Sequence, residues 1–304
     1  MRAVLCGLVG VVVVSAFTYF NDRILRQTYF VGNHMPLSVY GGLILFLLLV
    51  NPVLFMLRKR LALSARELVI VLAMTLAACA VPGAGLMRTL PGTILMPHWY
   101  EKTEPGWRQH DVLDEIPERM LVAEEEENSR VLSGFVQGLA MGRNRIALSD
   151  VPWRAWVRPL SYWLPVVLVL WIGLVGLSLV VHRRWADHEH LPYPIASFVH
   201  ALLPGNKREP SGVVLSRAFW IGVTIVLGIH MVNYAHTWWF DFIQIPLTFK
   251  FHPLAQLSET FARGGGAQFL ILHIYFTPLA FAYFLSTDVS FSLGIGPFLF
   301  VFVN

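Results

Sequence analysis

Long apolar stretches without charge constrain this chain more than any other feature of its sequence. Hydrophobic residues make up 56% of its 304 residues and charged residues only 14%, against roughly 25% charged in an ordinary soluble domain. The charges are grouped between the apolar stretches, as in Arg58-Lys59-Arg60, and do not line one face of each stretch. A soluble protein needs a charged surface, so this arrangement predicts an integral membrane protein built of helices.

A helix needs about 20 mostly apolar residues to cross roughly 30 Å of hydrocarbon, because it rises about 1.5 Å per residue. Six segments meet or approach this length, and a seventh apolar run follows them. They are Ala3–Phe20, Leu37–Leu57, Glu67–Val81, Pro159–Val181, Leu215–His236, Phe269–Ser286 and, as the seventh run, Val289–Val303. The sequence therefore predicts an all-α, polytopic bundle of six to seven transmembrane spans.

These spans divide the chain into three parts. Residues 1–82 hold spans one to three, and residues 159–304 hold spans four to seven. Residues 83–158 have a soluble character, which predicts an extramembrane, extracytoplasmic loop segment whose start is compatible with a re-entrant hairpin. Because the chain stops inside an apolar run at Asn304, we expect the last span to be truncated and the sequence to be the front part of a longer protein.

Charge in the short loops predicts the orientation. The first apolar run is as long as a span and lacks a small-residue cleavage pattern, so we interpret it as an uncleaved helix and not as a signal peptide. The loops after spans two and four hold nine Lys and Arg residues, and those after spans one and five hold four. Positive residues stay on the cytoplasmic side, which predicts a cytoplasmic N-terminus.

Several function classes lack their sequence signals. The basic residues form no continuous stripe, so we expect no nucleic-acid partner. No glycine-rich phosphate loop, nucleophile elbow or catalytic carboxylate pair is present, so we expect neither an enzyme nor a cofactor. The stretch His182 to His190 holds three histidines without zinc-site spacing, and we expect no metal; an intramembrane enzyme using this stretch is the alternative.

Helix-breaking residues follow the third predicted span, at Pro82, Gly83 and Gly85, and lead to Arg88. Proline removes a backbone donor and glycine loosens the chain, so the span should end or break here. Transporters place broken helices at substrate sites, so we expect this segment to line a substrate pathway, with Arg88 facing an anionic group. A plain helix end followed by an outer turn explains the pattern equally well.

Polar residues also stand at the outer ends of the first two spans. Asn21, Asp22, Asn33 and His34 are candidates for the lining of an external vestibule that holds a polar ligand, because polar groups at membrane depth are costly and often functional. The alternative is that they simply face water at the interface.

One isolated acid, Asp288, lies between two apolar runs after Thr287. Such an acid serves either as a site for a coupling ion or proton, or as part of the cap of the following helix. Both interpretations stay open from the sequence.

The segment Leu191-Pro192-Tyr193-Pro194 follows a long apolar helix and a short charged stretch. In this setting it resembles the Leu-Pro-Tyr-Pro segment of the oligopeptide transporter superfamily. Other pieces resemble an uncharacterised bacterial membrane family distantly similar to those transporters, and together they cover nearly the whole chain. They are Tyr19–Asp22, Val31–Pro36, Asn51-Pro52, Gly85–Arg88 and Asp288–Ser292.

The resemblance implies a secondary carrier, longer than this chain, in the inner membrane of a bacterium, with its helices arranged as repeats. By analogy it would move a small polar solute, of the peptide or metal-chelate class, driven by an ion gradient. Its partners would be the lipid bilayer and that solute, and association into a homo-oligomer stays open. The alternative function is a non-transporting scaffold or sensor whose outer segment, residues 83–158, binds a partner.

Overall fold

The protein is mostly helical in a computed structural model, and it divides into two compact units. The structure describes residues 1–26, 29–32, 36–83, 86–123, 129–139, 146–191, 193–205, 209–251, 253 and 269–303. The first unit contains Met1–Gly42 and Val69–Glu189, and the second contains Leu43–Leu68 and His190–Asn304. Each unit therefore combines segments that are far apart in sequence.

The described helices and strands follow one another in this order. The first unit and the start of the second hold α1 (Arg2–Tyr19), α2 (Leu37–Leu45), α3 (Asn51–Leu57), α4 (Ala65–Ala78), α5 (Leu90–Thr103), α6 (Pro105–Gln109), α7 (Ser129–Val136) and α8 (Trp153–Asp187). The rest of the second unit holds α9 (Pro194–Leu202), α10 (Gly212–Leu215), α11 (Arg217–Trp238), β1 (Thr248–Lys250), β2 (Ile271–His273), α12 (Phe276–Ala282) and α13 (Thr287–Val303).

Four helical stretches are long and apolar enough to cross a membrane, which indicates a membrane protein. They are Arg2–Leu25, Ser38–Leu57, Trp153–Asp187 and Arg217–Trp238. The first is α1 continued by a π-helical turn at Phe20–Leu25, and the second joins α2 to α3 through a π-helical turn at Phe46–Val50. These four coincide with predicted spans one, two, four and five.

The third predicted span is shorter than expected. Helix α4 has 14 residues and ends at Ala78, so it is about 21 Å long at 1.5 Å per residue. That is less than the roughly 30 Å of a hydrocarbon core. The predicted end of the helix before Pro82 is confirmed, since residues 79–83 form turns and a bend.

The prediction of one continuous helix over Phe269–Ser286 is wrong. Within it, β2 pairs antiparallel with β1, placing Leu272 opposite Phe249, and α12 begins only at Phe276. Pro278 explains the late start, because a proline is accommodated in the first turn of a helix but would clash with the preceding turn of a longer one. The seventh apolar run is helical, as α13.

Much of the segment predicted as a loop at residues 83–158 is folded against the start of α8. A small core of buried side chains joins α5, α7 and α8, and its members are Ile94, Leu95, Val122, Val131, Leu132 and Ala155. The backbone N–H of Val122 donates to the carbonyl of Ile94 at 3.2 Å, and Nε1 of Trp163 donates to the carbonyl of Met120 at 3.0 Å. Helix α8 accordingly begins at Trp153 and not at the predicted Pro159.

Two glycines let α1 approach α4 closely. A Cβ added at Gly7 would lie near the Met74 sulfur, and one at Gly10 near the Thr75 Cγ2 atom, both too close for real atoms. Small residues at helix contacts are typical of membrane proteins, because they let backbones pack together. Met74 has a flexible side chain, whereas the Thr75 hydroxyl is anchored to the carbonyls of Val71 and Leu72.

We therefore expect Gly10→Ala to destabilise the protein more than Gly7→Ala. Alanine stabilises a helix by about 1 kcal/mol relative to glycine. At Gly7 this gain offsets most of the cost of the close contact, because the flexible Met74 side chain can move away. At Gly10 the anchored Thr75 cannot move away, and overpacking costs typically 1–3 kcal/mol. Thermal unfolding in detergent measures the difference. Gly173→Ala is the control, since a Cβ there meets nothing within 4 Å, and equal melting temperatures for all three variants would contradict the expectation.

Two asparagines in the second unit make the same contact with the backbone. Asn51 accepts a hydrogen bond from the N–H of Leu63 at 2.8 Å and donates to its carbonyl at 3.4 Å. Asn233 does the same with Ile245, at 2.8 and 2.9 Å. In both cases the partner lies 12 residues further along the chain. We call these contacts the asparagine clamps, and each ties the last turns of a membrane-length helix to the segment that follows it.

Candidate functional site

An ion pair between Asp22 and Arg88 joins two segments of the first unit that the sequence singles out separately. Asp22 lies in the π-helical turn that extends α1, and Arg88 lies in the turn before α5. Nη2 of Arg88 donates to Oδ2 of Asp22 at 3.2 Å, and the side chains are only 23% and 9% exposed, respectively. The pair is therefore largely shielded from solvent, where an electrostatic attraction is stronger than in water.

The second oxygen of Asp22 is also engaged. Oδ1 accepts a hydrogen bond from the backbone N–H of Phe30 at 2.9 Å and another from the side-chain amide of Asn21 at 2.9 Å. Hydrogen bonds to an ionised carboxylate are stronger than those between neutral groups. These contacts fix the position of the carboxylate independently of Arg88.

Tyr29 holds the other partner. The guanidinium carbon of Arg88 lies 3.5 Å from the centroid of the Tyr29 ring, a distance at which a cation is attracted to the aromatic face. A planar guanidinium stacked on a ring has a fixed orientation. Tyr29 could not be predicted from the sequence, since a tyrosine near a membrane interface is common and does not by itself indicate a site.

The break after α4 brings Arg88 to this position. Beyond Ala78 the chain passes through Pro82 in a series of turns, and the N–H of Met87 donates to the carbonyl of Val81 at 3.0 Å, closing the segment on itself. Proline cannot continue a helix without losing a hydrogen bond. The chain therefore turns back, and Arg88 follows directly.

Gly83 is required by close packing in the same turn. Its N–H donates to the carbonyl of Cys79 at 3.1 Å. A Cβ at this buried position would lie 2.7 Å from that carbonyl oxygen and 3.4 Å from a methyl group of Val31. Only glycine fits, and the contact holds the break against the segment that carries Tyr29 and Phe30.

A cavity of about 650 Å³ lies in the first unit beside these segments. Val31 and Gly32 line it from one segment, Gly83 and Leu86 line it from the other, and Trp171 lines it from α8. Its walls are mostly apolar. The same two stretches of chain therefore carry the ion pair and form part of a cavity large enough for a small molecule.

The comparisons with known proteins give one match. A family described as a family of unknown function (DUF6785) matches residues 1–303. The chain belongs to this family. No curated protein and no solved structure matches the chain. Membership of DUF6785 agrees with the prediction of a family without an assigned function, and the resemblance to oligopeptide transporters stays a prediction.

The structure brings together only part of the residues predicted for the pathway of this DUF6785 protein. Asn21, Asp22 and Arg88 meet in one cluster, and Pro82 and Gly83 form the turn that positions it. Three further predicted residues, as well as one residue of the transporter-like motif, lie outside the described part of the chain: Asn33, His34, Gly85 and Pro192.

The remaining candidates lie at helix starts in the second unit. Pro194 is the first residue of α9, with Tyr193 at its N-cap and Leu191 three residues before it. Proline favours this position, because its fixed φ suits a helix and its missing N–H would be unpaired there anyway. Asp288 stands in the first turn of α13, where an acid interacts favourably with the helix dipole. Both the capping interpretation and ion coupling at Asp288 stay predictions.

The histidine-rich stretch His182 to His190, which covers the end of α8 and the three residues after it, has a simple local contact. Nε of Arg184 donates to Oε1 of Glu189 at 3.1 Å, with the Arg184 side chain 78% exposed. Exposed pairs of this kind contribute little to stability. Within the described parts of the chain, no group of three His, Cys, Asp or Glu side chains is arranged to hold a metal ion.

Proposed function

We propose that this protein is a secondary transporter of the bacterial inner membrane, which moves a small polar solute and is driven by an ion gradient. The observation that carries the proposal is the shielded Asp22–Arg88 pair, which involves a residue in the last turn of the membrane-length stretch Arg2–Leu25. Charged groups inside spanning segments are rare, occur in pairs and mark substrate or ion pathways. The neighbouring cavity gives such a solute room.

Interrupted segments at matching places in the chain support the same proposal. The third apolar segment of the first half ends early, as α4 before Pro82. The third apolar segment of the second half is also broken, and α12 has only 7 residues. Short or proline-interrupted segments in corresponding positions of two halves are typical of transporters built from repeats. The asparagine clamps stand at the end of the second span of each half, which is consistent with such a repeat.

Three spans in each half would place the two repeats in opposite orientations in the membrane. With the N-terminus in the cytoplasm, as the loop charges predict, the clamp of Asn51 would lie on the cytoplasmic side and that of Asn233 on the outer side. By analogy with the oligopeptide transporters that the sequence resembles, the first solutes to test are short peptides and metal chelates.

Uptake into proteoliposomes tests the proposal. We expect a labelled peptide or chelate from a panel to accumulate only when a proton or sodium gradient is imposed, and we expect Arg88→Gln to reduce that uptake at least about tenfold, as loss of a charge-assisted contact of about 1.5–3 kcal/mol implies. Arg108→Gln, an exposed arginine of α6, is the matched control and should transport normally. Absence of gradient-dependent uptake for every member of the panel would count against the proposal.

A second candidate function is a non-transporting sensor, and one observation favours it. An apolar cavity of about 460 Å³ lies between α5, α7 and α8, with Phe135 and Trp156 among its walls. A sensor would bind an apolar ligand there without any flux. Hydrogen–deuterium exchange that becomes slower in α7 on addition of an apolar ligand, in a protein that moves no solute, would favour this function over transport.

A further inference from the structure

We infer that Arg88 binds an organic carboxylate that carries an apolar group, and that Asp22 competes with this solute, because its own carboxylate occupies the same position on Arg88. This inference rests on the proposed transport function and narrows its solute class. Three features carry it: the spare donors of Arg88, the fixed position of Asp22 and the apolar character of the neighbouring cavity.

Arg88 has more N–H donors than its contact with Asp22 uses. A guanidinium carries five N–H donors in a planar fork that matches a carboxylate. In the described part of the chain, only Nη2 has an acceptor, the Oδ2 atom of Asp22. Tyr29 covers one face of the group at 3.5 Å and fixes its plane. An incoming carboxylate can therefore make two parallel hydrogen bonds with a group that is already oriented, which is the stronger arrangement.

Asp22 makes only one contact with Arg88 and does not depend on it for its position. The N–H of Phe30 and the amide of Asn21 hold Oδ1 from the other side. When a solute carboxylate takes the Arg88 fork, Asp22 stays where it is and becomes a nearby like charge. Repulsion between the two carboxylates opposes binding, so Asp22 weakens the affinity of the solute and promotes its release. A carrier needs such release, because a solute that binds too tightly does not leave.

The cavity determines the rest of the solute. Val31, Leu86 and Trp171 present apolar surface to it, and burying a polar group there without a partner is costly. An apolar body stabilises the complex by about 25 cal/mol for each Å² that it buries. Arg88 itself does not line the cavity, but Leu86, two positions before it, does. The solute would therefore place its carboxylate at Arg88 and a short apolar chain or ring against the cavity wall that Leu86 forms.

Hexanoate is the probe for a binding test by calorimetry, with the purified protein in phosphatidylcholine nanodiscs. We expect Asp22→Asn to tighten hexanoate binding about tenfold, because the asparagine keeps its acceptor for the Phe30 N–H but removes the competing charge. Arg88→Gln should weaken binding at least about tenfold, and Tyr29→Leu by a smaller factor. Hexanamide, which has no charge, should respond to none of these changes, and acetate, which lacks the apolar chain, should bind much more weakly than hexanoate.

Each outcome of this test supports or overturns the carboxylate site at Arg88. An unchanged or lower affinity of Asp22→Asn for hexanoate, in a variant with the helix content of the parent at the temperature of the measurement, would overturn the inference. The inference would also be overturned if Asp22→Asn no longer tightened hexanoate binding in nanodiscs that contain phosphatidylglycerol, since a lipid phosphate would then occupy the position on Arg88. Tighter binding by Asp22→Asn in a protein without uptake would support the carboxylate site while removing the transport function. Gradient-driven uptake together with no effect of Asp22→Asn on hexanoate binding would support the transport function and overturn the carboxylate site.

Discussion

Replacing Arg88 by glutamine is expected to lower the free energy of unfolding by about 2 to 4 kcal/mol, which is the largest effect of any single change at this site. The reason is what remains: Asp22 is 9% exposed, and its carboxylate would lose its counter-ion inside a membrane-length helix. Breaking a buried pair is costly because the surviving charge has no counter-ion, and the two hydrogen bonds to Oδ1 of Asp22 offset only part of that loss. The 23% exposure of Arg88 places the estimate below the range for fully buried pairs. The midpoint of unfolding in sodium dodecyl sulfate measures it.

A double-mutant cycle separates this cost from the loss of arginine packing. We expect Asp22→Asn combined with Arg88→Gln to recover most of the stability, because the unpaired charge is then gone. The same double variant shows whether loss of uptake by Arg88→Gln reflects a missing solute contact or a poorly folded protein. If the double variant is as unstable as Arg88→Gln alone, the ion pair is not what stabilises this part of the fold. Arg108→Gln, on an exposed surface, should leave the midpoint unchanged.

Asn51→Ala is expected to have an effect of similar size, a loss of about 2 to 4 kcal/mol. Asn51 is 5% exposed, and the alanine would leave both backbone groups of the buried Leu63 without their partner. An unsatisfied buried polar group costs about 1–3 kcal/mol, and here there are two. Since the donated bond to the Leu63 carbonyl is long, at 3.4 Å, its share is the smaller one.

The second clamp provides the comparison. Asn233 makes the same two bonds but is only partly buried, so water can replace part of what Asn233→Ala removes, and we expect a loss of about 1 to 2 kcal/mol. Thr237→Ala, which deletes an exposed bond within the same helix, should be close to neutral. Unfolding midpoints of the three variants test the order, and an Asn233→Ala variant less stable than Asn51→Ala would contradict it.

The backbone partners of the two asparagine clamps could not be predicted from the sequence. Val50-Asn51 and Val232-Asn233 are the same two residues near the end of two apolar helices, yet a shared dipeptide is too short to indicate a repeat. Only the identical pairing with a residue 12 positions later makes the similarity visible. An asparagine near a helix end is ordinarily interpreted as packing or capping, and nothing in the sequence specifies which backbone group it reaches.

The sequence by itself determined the features that depend on local physics. Apolar length and the absence of charge are sufficient to predict the four membrane-length helices, because lipid requires them wherever the chain crosses. The end of α4 before Pro82 follows from the missing N–H of proline. The continuous helix predicted over Phe269–Ser286 was wrong because hydropathy outweighed Pro278, and because a strand pairing such as Phe249 with Leu272 is not local.

Only the tertiary structure decided which polar groups meet. Asp22 and Arg88 are 66 positions apart in the sequence, and each could equally have faced water at an interface. Their pairing depends on the turn through Pro82 and Gly83 and on the close approach of Gly83 to Val31. Tyr29 became a partner of Arg88 through the same packing. Such contacts result from many packing interactions across the unit. The order of residues along the chain does not give the distance between two side chains that are far apart in sequence.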